Sequence, residues 1–415
     1  MNNITKNINY FSFYNIEIDQ DNDYLNKLNE CVCYIKNSYI EGINDFNFPK
    51  DKVDKICKEI DKTYIKVKKA FNYSLSGKYD CAIKIIRNLI LNLSEILIRP
   101  LNRTQALYLN KNDDIYLYKG RIVDTPYSDY SYDDMHIIPS SKRELTSTQR
   151  YSIPGVPCLY LSSNSFILWN ELGRPRFENL CVSCFKILDK EMKVLDLSFG
   201  YQSIFREIVE NYLNYEKVPF VFKDTKGNII KDFADIRFSD FLENVNDEKY
   251  IMLSSIYPLL AAVSIHCKEK NRKFKSEYVI SQLIMHCLRE CKGILYRSSA
   301  MDGKYGLPSI NLAIPNLQFD KNYKNNLYGD IGKLVEITDS FNFQYFIDNC
   351  SDIYYKYKTR EYNVVEIYQL PSKSTFNKML DKFSGSNTYD LNFIYKGSMY
   401  YFFDEFLISK TFNKI

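Results

Sequence analysis

Histidines are scarce in this chain and long apolar runs are missing, and each absence excludes a class of function. Only three histidines occur among 415 residues, too few for a site built on several histidine ligands. The longest apolar stretch, residues 82–98, is interrupted by polar side chains at Lys84, Arg87, Asn88, Asn92 and Glu95. It therefore predicts an amphipathic helix, and no segment predicts a membrane span.

Glycine-rich phosphate loops are also missing. No Gly-x-Gly-x-x-Gly sequence follows a predicted strand and no Walker-type loop occurs, so a dinucleotide would not bind in the Rossmann manner. Cys181 and Cys184 have the Cys-x-x-Cys spacing, but they lie in a strand-like run that directs their sulfurs to opposite faces. Because no second pair with zinc spacing follows, we expect no bound metal.

The charges are nearly balanced. The formal net charge of +4 at pH 7 gives no sign of the clustered basic face that nucleic-acid binding needs. Eleven cysteines, an odd number, and a start at Met1 without a signal-peptide pattern predict reduced thiols in the cytoplasm. The expected partners therefore include neither a membrane nor a nucleic acid.

The sequence does supply enough apolar residues, 45% of the chain, for a sizeable core. We predict a helical N-terminal region over residues 1–104, a central α+β domain over 105–330 and a C-terminal mixed or β-rich extension over 331–415. The N-terminal prediction rests on apolar residues spaced three or four apart, namely Ala82, Ile86, Leu89, Leu93 and Ile96. A packing, dimerising or regulatory role is open for these helices, including a mask over a catalytic cleft.

Apolar runs and alternation predict the strands. The segments in the central region are 114–118, 157–161, 179–187, 193–197, 292–299 and 311–315, and aromatic alternating segments follow at 354–357 and 400–403. Residues 275–291 are predicted to form one helix that ends before Gly293. The long polar loop over 124–147 is typical of a functional loop.

The segment from residue 118 to residue 171 holds the densest set of candidate functional groups. Arginine binds phosphate through paired donors, tyrosine offers a stacking face, and glutamate stabilises developing positive charge. Such groups suit an anionic dinucleotide whose glycosidic bond is to be broken. For each residue alone, a structural role is the alternative. The set comprises Tyr118, Lys119, Arg121, His136, Arg143, Arg150, Tyr160 and Glu171.

The run from Arg150 to Ser162 resembles the RES domain family, which is named for its Arg, Glu and Ser residues. Further agreeing pieces occur in the same order at residues 118–121, 169–171, 281–282 and 293–299. The resemblance extends over about half of the chain, from about residue 110 to about residue 320. It implies an ADP-ribosyltransferase-like fold, which has a split, mixed β core with helices around it.

Some residues carry over from the family by position. Arg150, Tyr160 and Glu171 match the family's arginine, strand tyrosine and glutamate. The family's serine falls on the doublet Ser298 and Ser299, and the doublet leaves both open.

The first strand motif matches in part. Arg121 matches a family arginine, but Lys119 stands where the family often has a second one. Lysine keeps the charge and loses the bidentate fork, so phosphate recognition there is expected to differ. Tyr151 or Ser152 stands where many shorter members carry an asparagine, so their ribose contacts are not expected to be copied.

The resemblance implies that the protein cleaves NAD at the nicotinamide–ribose bond, with water or inorganic phosphate as the attacking group. NAD is then a substrate, and the protein is expected to be a toxin or defence effector that depletes it. Such proteins are often restrained by a helix-turn-helix antitoxin. Two alternatives stay open: transfer of ADP-ribose to a macromolecule, and a catalytically weak module that senses a nucleotide.

Overall fold

The computed structural model of the chain describes residues 8–9, 16–46, 49–104, 114–198, 222–223, 229–230, 247–269, 272–288, 290–298, 309–317, 329–349 and 399–413. In these ranges a mixed sheet with surrounding helices confirms the predicted α+β class. None of the helices found there combines the length and the apolar composition needed to cross a membrane.

The strands are short and spread along the whole chain. In chain order they are β1 (Ile8–Asn9), β2 (Glu17–Ile18), β3 (Ile98–Pro100), β4 (Ile115–Ile122), β5 (Cys158–Ser162), β6 (Leu180–Ile187), β7 (Lys193–Leu197), β8 (Phe222–Lys223), β9 (Ile229–Ile230), β10 (His266–Cys267), β11 (Gly293–Arg297), β12 (Ile310–Pro315), β13 (Val335–Ile337) and β14 (Phe341–Asn342). Each predicted strand of the central region overlaps one of β4 to β7, β11 and β12, which confirms those predictions.

The helices lie mainly at the start of the chain and after residue 246. They are α1 (Tyr24–Phe46), α2 (Lys50–Leu75), α3 (Tyr79–Asn92), α4 (Ser94–Leu97), α5 (Tyr132–Met135), α6 (Ser165–Glu171), α7 (Asp247–Ser255), α8 (Tyr257–Ser264), α9 (Val279–Met285) and α10 (Met399–Ile408). Short 3-10 turns occur at Asp21–Asp23, Leu101–Arg103, Ser140–Leu145, Phe177–Asn179, Ser276–Tyr278 and Gly329–Lys333.

Two predictions of secondary structure were wrong. The predicted helix over 275–291 is a 3-10 turn followed by α9, which ends at Met285. The amide of Cys287 bonds to the carbonyl of Ile284 (2.8 Å), three residues back, and this tighter closure ends the helix. Residues 400–403 belong to α10, because short aromatic runs fit a helix as well as a strand. The segment 354–357 lies outside the described residues.

The central sheet divides into two half-sheets. Its order is β13-β6-β4-β5-β12-β11-β7-β3, with β14 also paired with β6. All pairs are antiparallel except β11 with β7. Strand β4 pairs with β6 along its whole length, but its described register with β5 is the single pair Tyr118–Ser162. One residue pair therefore joins the half-sheet that contains β4 to the half-sheet that contains β5.

Helices cover one face of the sheet. The largest apolar cluster combines α1, α2 and α3 with α7, α8 and α9, and it includes Ile294, Ala313 and Tyr151. On the opposite face, strand residues such as Leu161 pack against Ile137 from the long polar loop. Of the roles considered for the N-terminal helices, these contacts support packing. Segments from all three predicted regions contribute to the sheet, since β3 pairs with β7 and both β13 and β14 pair with β6.

Gly293 opens β11 at a place where a side chain has no room. A Cβ there would lie 2.8 Å from the backbone oxygen of Ala313 in β12. Because a backbone atom cannot swing aside, Gly293→Ala should lower the free energy of unfolding by about 1–3 kcal/mol. Thermal unfolding measures the loss. Its exposed neighbour offers the control Lys292→Ala, which should stay within about 0.5 kcal/mol of the wild type. Equal stability of Gly293→Ala and the wild type would contradict this strand geometry.

Candidate functional site

A tight turn over residues 149–156, here called the Arg150 turn, leads into β5. The Ser152 hydroxyl donates to the Gln149 carbonyl (2.8 Å) and accepts from the Gln149 amide (2.9 Å). Ile153 and Val156 form an isolated bridge, and Gly155 between them has a φ of 73°. The amide of Gln282 in α9 donates to the Gln149 carbonyl (3.2 Å). The turn is therefore fixed both internally and against the helical layer.

Arg150 is held by backbone carbonyls. Its Nη1 donates to the carbonyls of Val263 (2.8 Å) and Glu277 (3.3 Å), and its guanidinium lies over the Tyr278 ring at 5.2 Å from the centroid. Within the described part of the chain, only Nη1 of the guanidinium is engaged in hydrogen bonds. The Nε and Nη2 donors are left for a ligand with planar oxygen pairs, such as a phosphate.

Tyr160 of β5 binds the Arg150 turn through a hydrogen bond. Its hydroxyl donates to the Tyr151 carbonyl (2.5 Å). Burial raises the pKa of Tyr160 above its usual value, and the neighbouring Cys158 raises it further. The phenol therefore stays protonated at neutral pH and acts as a donor. Its observed contact is with the turn, and Tyr160 is thus a residue that shapes the site.

Two tyrosine rings line the site. Tyr151 and Tyr296 have centroids 4.2 Å apart at an angle of 36°. Tyr151 is buried and Tyr296 is half-buried. Burial raises the pKa of the Tyr296 phenol well above its usual value, the negative charge of Glu171 raises it further, and Arg150 lowers it. Tyr296 stands opposite Asn311, the hydrogen-bond partner of Glu171, in the β11–β12 register, and its ring contacts Tyr151, which follows Arg150 in the chain.

Glu171 ends α6 and is exposed to solvent. Its Oε1 accepts a hydrogen bond from the Asn311 amide nitrogen (2.7 Å), and the Ser162 hydroxyl donates to the Asn311 amide oxygen (2.8 Å). The other carboxylate oxygen, Oε2, makes no hydrogen bond to the residues that the structure describes. One oxygen of the carboxylate is thus anchored to the sheet and the other is open to a ligand.

Helix α6 is fixed at its start. The Asn164 side chain caps it by accepting from the Ile167 amide (2.9 Å). A second acid, Asp404 of α10, accepts from the Ser165 amide (3.1 Å) and sits near the positive end of the helix. An aromatic cluster around Tyr400 packs α10 onto α6. The C-terminal helix therefore holds the element that carries Glu171.

Ser298 lies on the same face of the sheet as Tyr296. It follows β11, and side chains two residues apart point to the same face. Ser298 is buried, and its amide donates to the Ser309 carbonyl (2.7 Å). Ser299 lies outside the described residues.

The cations of the first strand motif contact a loop. The Lys119 ammonium donates to the His136 carbonyl (2.6 Å) and Arg121 Nη1 donates to the Asp134 carbonyl (2.7 Å). Alternation along β4 places both on the face opposite Tyr118. Their observed role is to hold the segment that contains α5. They are not in contact with Arg150 or Glu171.

The pKa values of Lys119 and His136 are both lowered. Burial and then Arg121 lower the pKa of Lys119 to about 7. Burial and then Lys119 lower the pKa of His136 to about 3, so the buried imidazole is neutral at physiological pH.

The other two predicted binding residues are Tyr118 and Arg143. Tyr118 is buried in the aromatic cluster that packs α6 against β4 and β6. Arg143 is half-exposed in the Ser140–Leu145 turn, where its carbonyl accepts from the Thr146 amide (3.0 Å).

Sequence reasoning missed Asn311 and gave Tyr296 no role. A signal for Asn311 was present, because it is the one polar residue in the apolar strand Ile310–Pro315. A buried side-chain amide in such a strand costs free energy unless it is hydrogen-bonded, so its presence indicates a hydrogen-bond partner. The pairing of Tyr296 with Tyr151 depends on the order of β5, β12 and β11 in the sheet, which the sequence does not display.

Comparison with known proteins gives one match of interest. No family model matches the sequence, and no solved structure matches it. Over 199 residues the chain is 32% identical to a protein of Bacillus subtilis (strain 168) named "Putative toxin YopC". The match covers 47% of this chain and 37% of that protein, so the chain spans little more than a third of its relative's length.

The lowered pKa of Lys119 predicts a pH-dependent stability. The folded protein binds fewer protons than the unfolded chain between about pH 7 and pH 10, so the free energy of unfolding rises with pH in this window. Lys119→Met removes this pH dependence of the free energy of unfolding. The hydrogen bond to the His136 carbonyl that the variant also loses costs the same at every pH. The melting temperature of Lys119→Met relative to wild type should thus be highest below pH 7 and fall by a few degrees towards pH 9.5.

The control for this experiment is Lys142→Met, at an exposed lysine. Its melting temperature relative to wild type should be independent of pH, because the side chain is exposed to solvent in the folded protein as it is in the unfolded chain. A pH-independent difference for Lys119→Met as well would contradict the burial of the Lys119 ammonium.

Proposed function

We propose that this protein is a toxin that cleaves NAD at the bond between nicotinamide and ribose. The observation that carries the proposal is the arrangement of two opposite charges around one aromatic ring. Tyr296 lies beside Asn311, which binds Glu171, and against Tyr151, the neighbour of Arg150. No ion pair joins Arg150 to Glu171 within the described residues. Each keeps an unengaged polar edge, the Nε–Nη2 side of Arg150 and Oε2 of Glu171.

These groups suit the three parts of NAD. The open guanidinium edge of Arg150 fits one pyrophosphate oxygen pair. The Tyr296 ring offers a flat face to a planar base. The Glu171 carboxylate faces the sugar, where loss of nicotinamide leaves positive charge on the anomeric carbon and the ring oxygen. A well-placed carboxylate contributes about 3–4 kcal/mol to such a transition state.

The reaction needs no side-chain nucleophile. The bond between the anomeric carbon and the nicotinamide nitrogen breaks, and nicotinamide leaves with the electron pair as a neutral molecule. Water or inorganic phosphate then forms the new bond to the anomeric carbon, and the proton of the attacking group passes to solvent. The protein supplies orientation and charge stabilisation.

Two further observations support the proposal. The central sheet opens between β4 and β5, as expected for the split core of an ADP-ribosyltransferase-like fold. The chain also resembles a protein whose printed name is that of a toxin, over 37% of that protein's length. Depletion of NAD would arrest growth, which is the action of a toxin.

The first test is incubation of the purified protein with NAD, with and without phosphate, followed by chromatography. We expect free nicotinamide together with ADP-ribose, or with a phosphate-dependent sugar phosphate. Glu171→Gln should lower kcat about 10²–10³-fold, because the amide carries no charge. The matched control is Glu178→Gln, at a half-buried glutamate whose ion pair is with Arg176, and it should keep wild-type kcat.

The same experiment separates the alternatives. Label that appears on protein or RNA would indicate transfer of ADP-ribose. A shift of the melting temperature with NAD but without turnover would indicate a sensing module. Full activity of Glu171→Gln would contradict the proposed mechanism.

The second test is expression in growing bacteria. The wild-type protein should slow growth and lower the cellular NAD content. Arg150→Ala should relieve both effects, since the pyrophosphate loses its paired donors. Arg176→Ala, at an arginine whose side chain is 82% exposed, should remain as toxic as the wild type. Growth arrest without a fall in NAD would contradict the proposed reaction.

A further inference from the structure

A chain of two hydrogen bonds connects Glu171 to the junction of the two half-sheets. Ser162 and Asn311 stand directly opposite each other in the β5–β12 register. The Ser162 hydroxyl donates to Asn311 Oδ1 (2.8 Å), and Asn311 Nδ2 donates to Glu171 Oε1 (2.7 Å). Ser162 and Asn311 are 4% and 3% exposed, so water cannot readily replace either bond.

The donor and acceptor roles in these two hydrogen bonds follow from the chemistry of the three side chains. An ionised carboxylate can only accept, so the Asn311 group that faces Glu171 must be the NH₂ group. The amide oxygen must then face Ser162, whose hydroxyl is able to donate. The reverse orientation would set Oδ1 against the Glu171 carboxylate, so the carboxylate selects the observed orientation of the amide. The Ser162 hydroxyl, which is able to donate or accept, holds that orientation by donating to Oδ1.

Packing alone does not account for Asn311. The other residues of its strand, Ile310–Pro315, are apolar, and a leucine would fill a similar volume. A buried amide stabilises a fold little in comparison with an apolar side chain at the same place. Its distinctive property is the N–H group that it presents to an exposed carboxylate at the site.

We propose that Asn311 is a positioning residue for Glu171, held in place in turn by its hydrogen bond from Ser162. By binding Oε1, it turns Oε2 towards the sugar. The catalytic part of this inference rests on the proposed function. The contact between Asn311 and Glu171 is independent of the proposed function and is tested without NAD.

The contact is tested by exchanging the two groups. Asn311→Asp sets two carboxylates against each other and should lower the melting temperature at pH 7 by several degrees. Adding Glu171→Gln restores a donor opposite the new acceptor, so N311D/E171Q should recover most of the loss. The control is Asn342→Asp, at a residue of β14, four strands from β12 in the sheet. This change removes the hydrogen bond that the Asn342 side-chain amide donates to the Glu178 carbonyl. Its loss should be unchanged by Glu171→Gln. Equal losses for N311D and N311D/E171Q would overturn the contact.

Positioning is tested by kinetics with NAD. The double variant S162A/N311L replaces both buried partners with apolar groups, which is expected to be nearly neutral for stability. Its kcat should nevertheless fall about 10–100-fold with little change in KM, because Glu171 loses its orientation. Asn311→Asp should also move the acid limb of the pH–rate profile upwards by at least about one pH unit, since two adjacent carboxylates resist double ionisation.

The outcomes separate this inference from the proposed function. Recovery of stability in N311D/E171Q without any NAD turnover by the wild type would support the contact and remove the function. Turnover by the wild type with an unchanged kcat in a folded S162A/N311L would keep the function and overturn positioning.

Discussion

The pair Tyr118–Ser162 is the constraint on which the site depends. Among the described residues it is the single register pair that joins the half-sheet containing β4 to the half-sheet containing β5. Helix α6 begins three residues after Ser162 and ends at Glu171. Three features therefore lie at one place: the junction of the half-sheets, the start of α6 and the first hydrogen bond of the path to Glu171.

The site keeps two opposite charges apart. Arg150 is held by backbone carbonyls and Glu171 by the Asn311 amide, and no ion pair joins the two among the described residues. Neutral partners hold a charged group in position without cancelling its charge. The free edges can then act on a ligand, and an anionic phosphate next to a sugar that becomes cationic is the kind of ligand they match.

The sequence was informative wherever local pattern decides structure. Runs and alternation located the strands of the central region. The roles that the ordered motif gives to Arg150 and Glu171 stay predictions. The sequence failed where the outcome depends on distant pairing. Lys119 and Arg121 were expected at the dinucleotide but bind the loop around Asp134, because the sequence does not show which face of β4 borders the opening. Asn311 comes from a strand 140 residues after Glu171.

The most direct measurement is a crystal structure of the protein soaked with ADP-ribose. The account predicts that the diphosphate oxygens contact Arg150 and that the ribose next to the lost base lies within hydrogen-bond distance of Glu171, with Tyr296 beneath the opening left by nicotinamide. The same contacts should disappear in crystals of Arg150→Ala. Ligand density at another surface, with the Arg150 and Glu171 edges still open to solvent, would contradict the account.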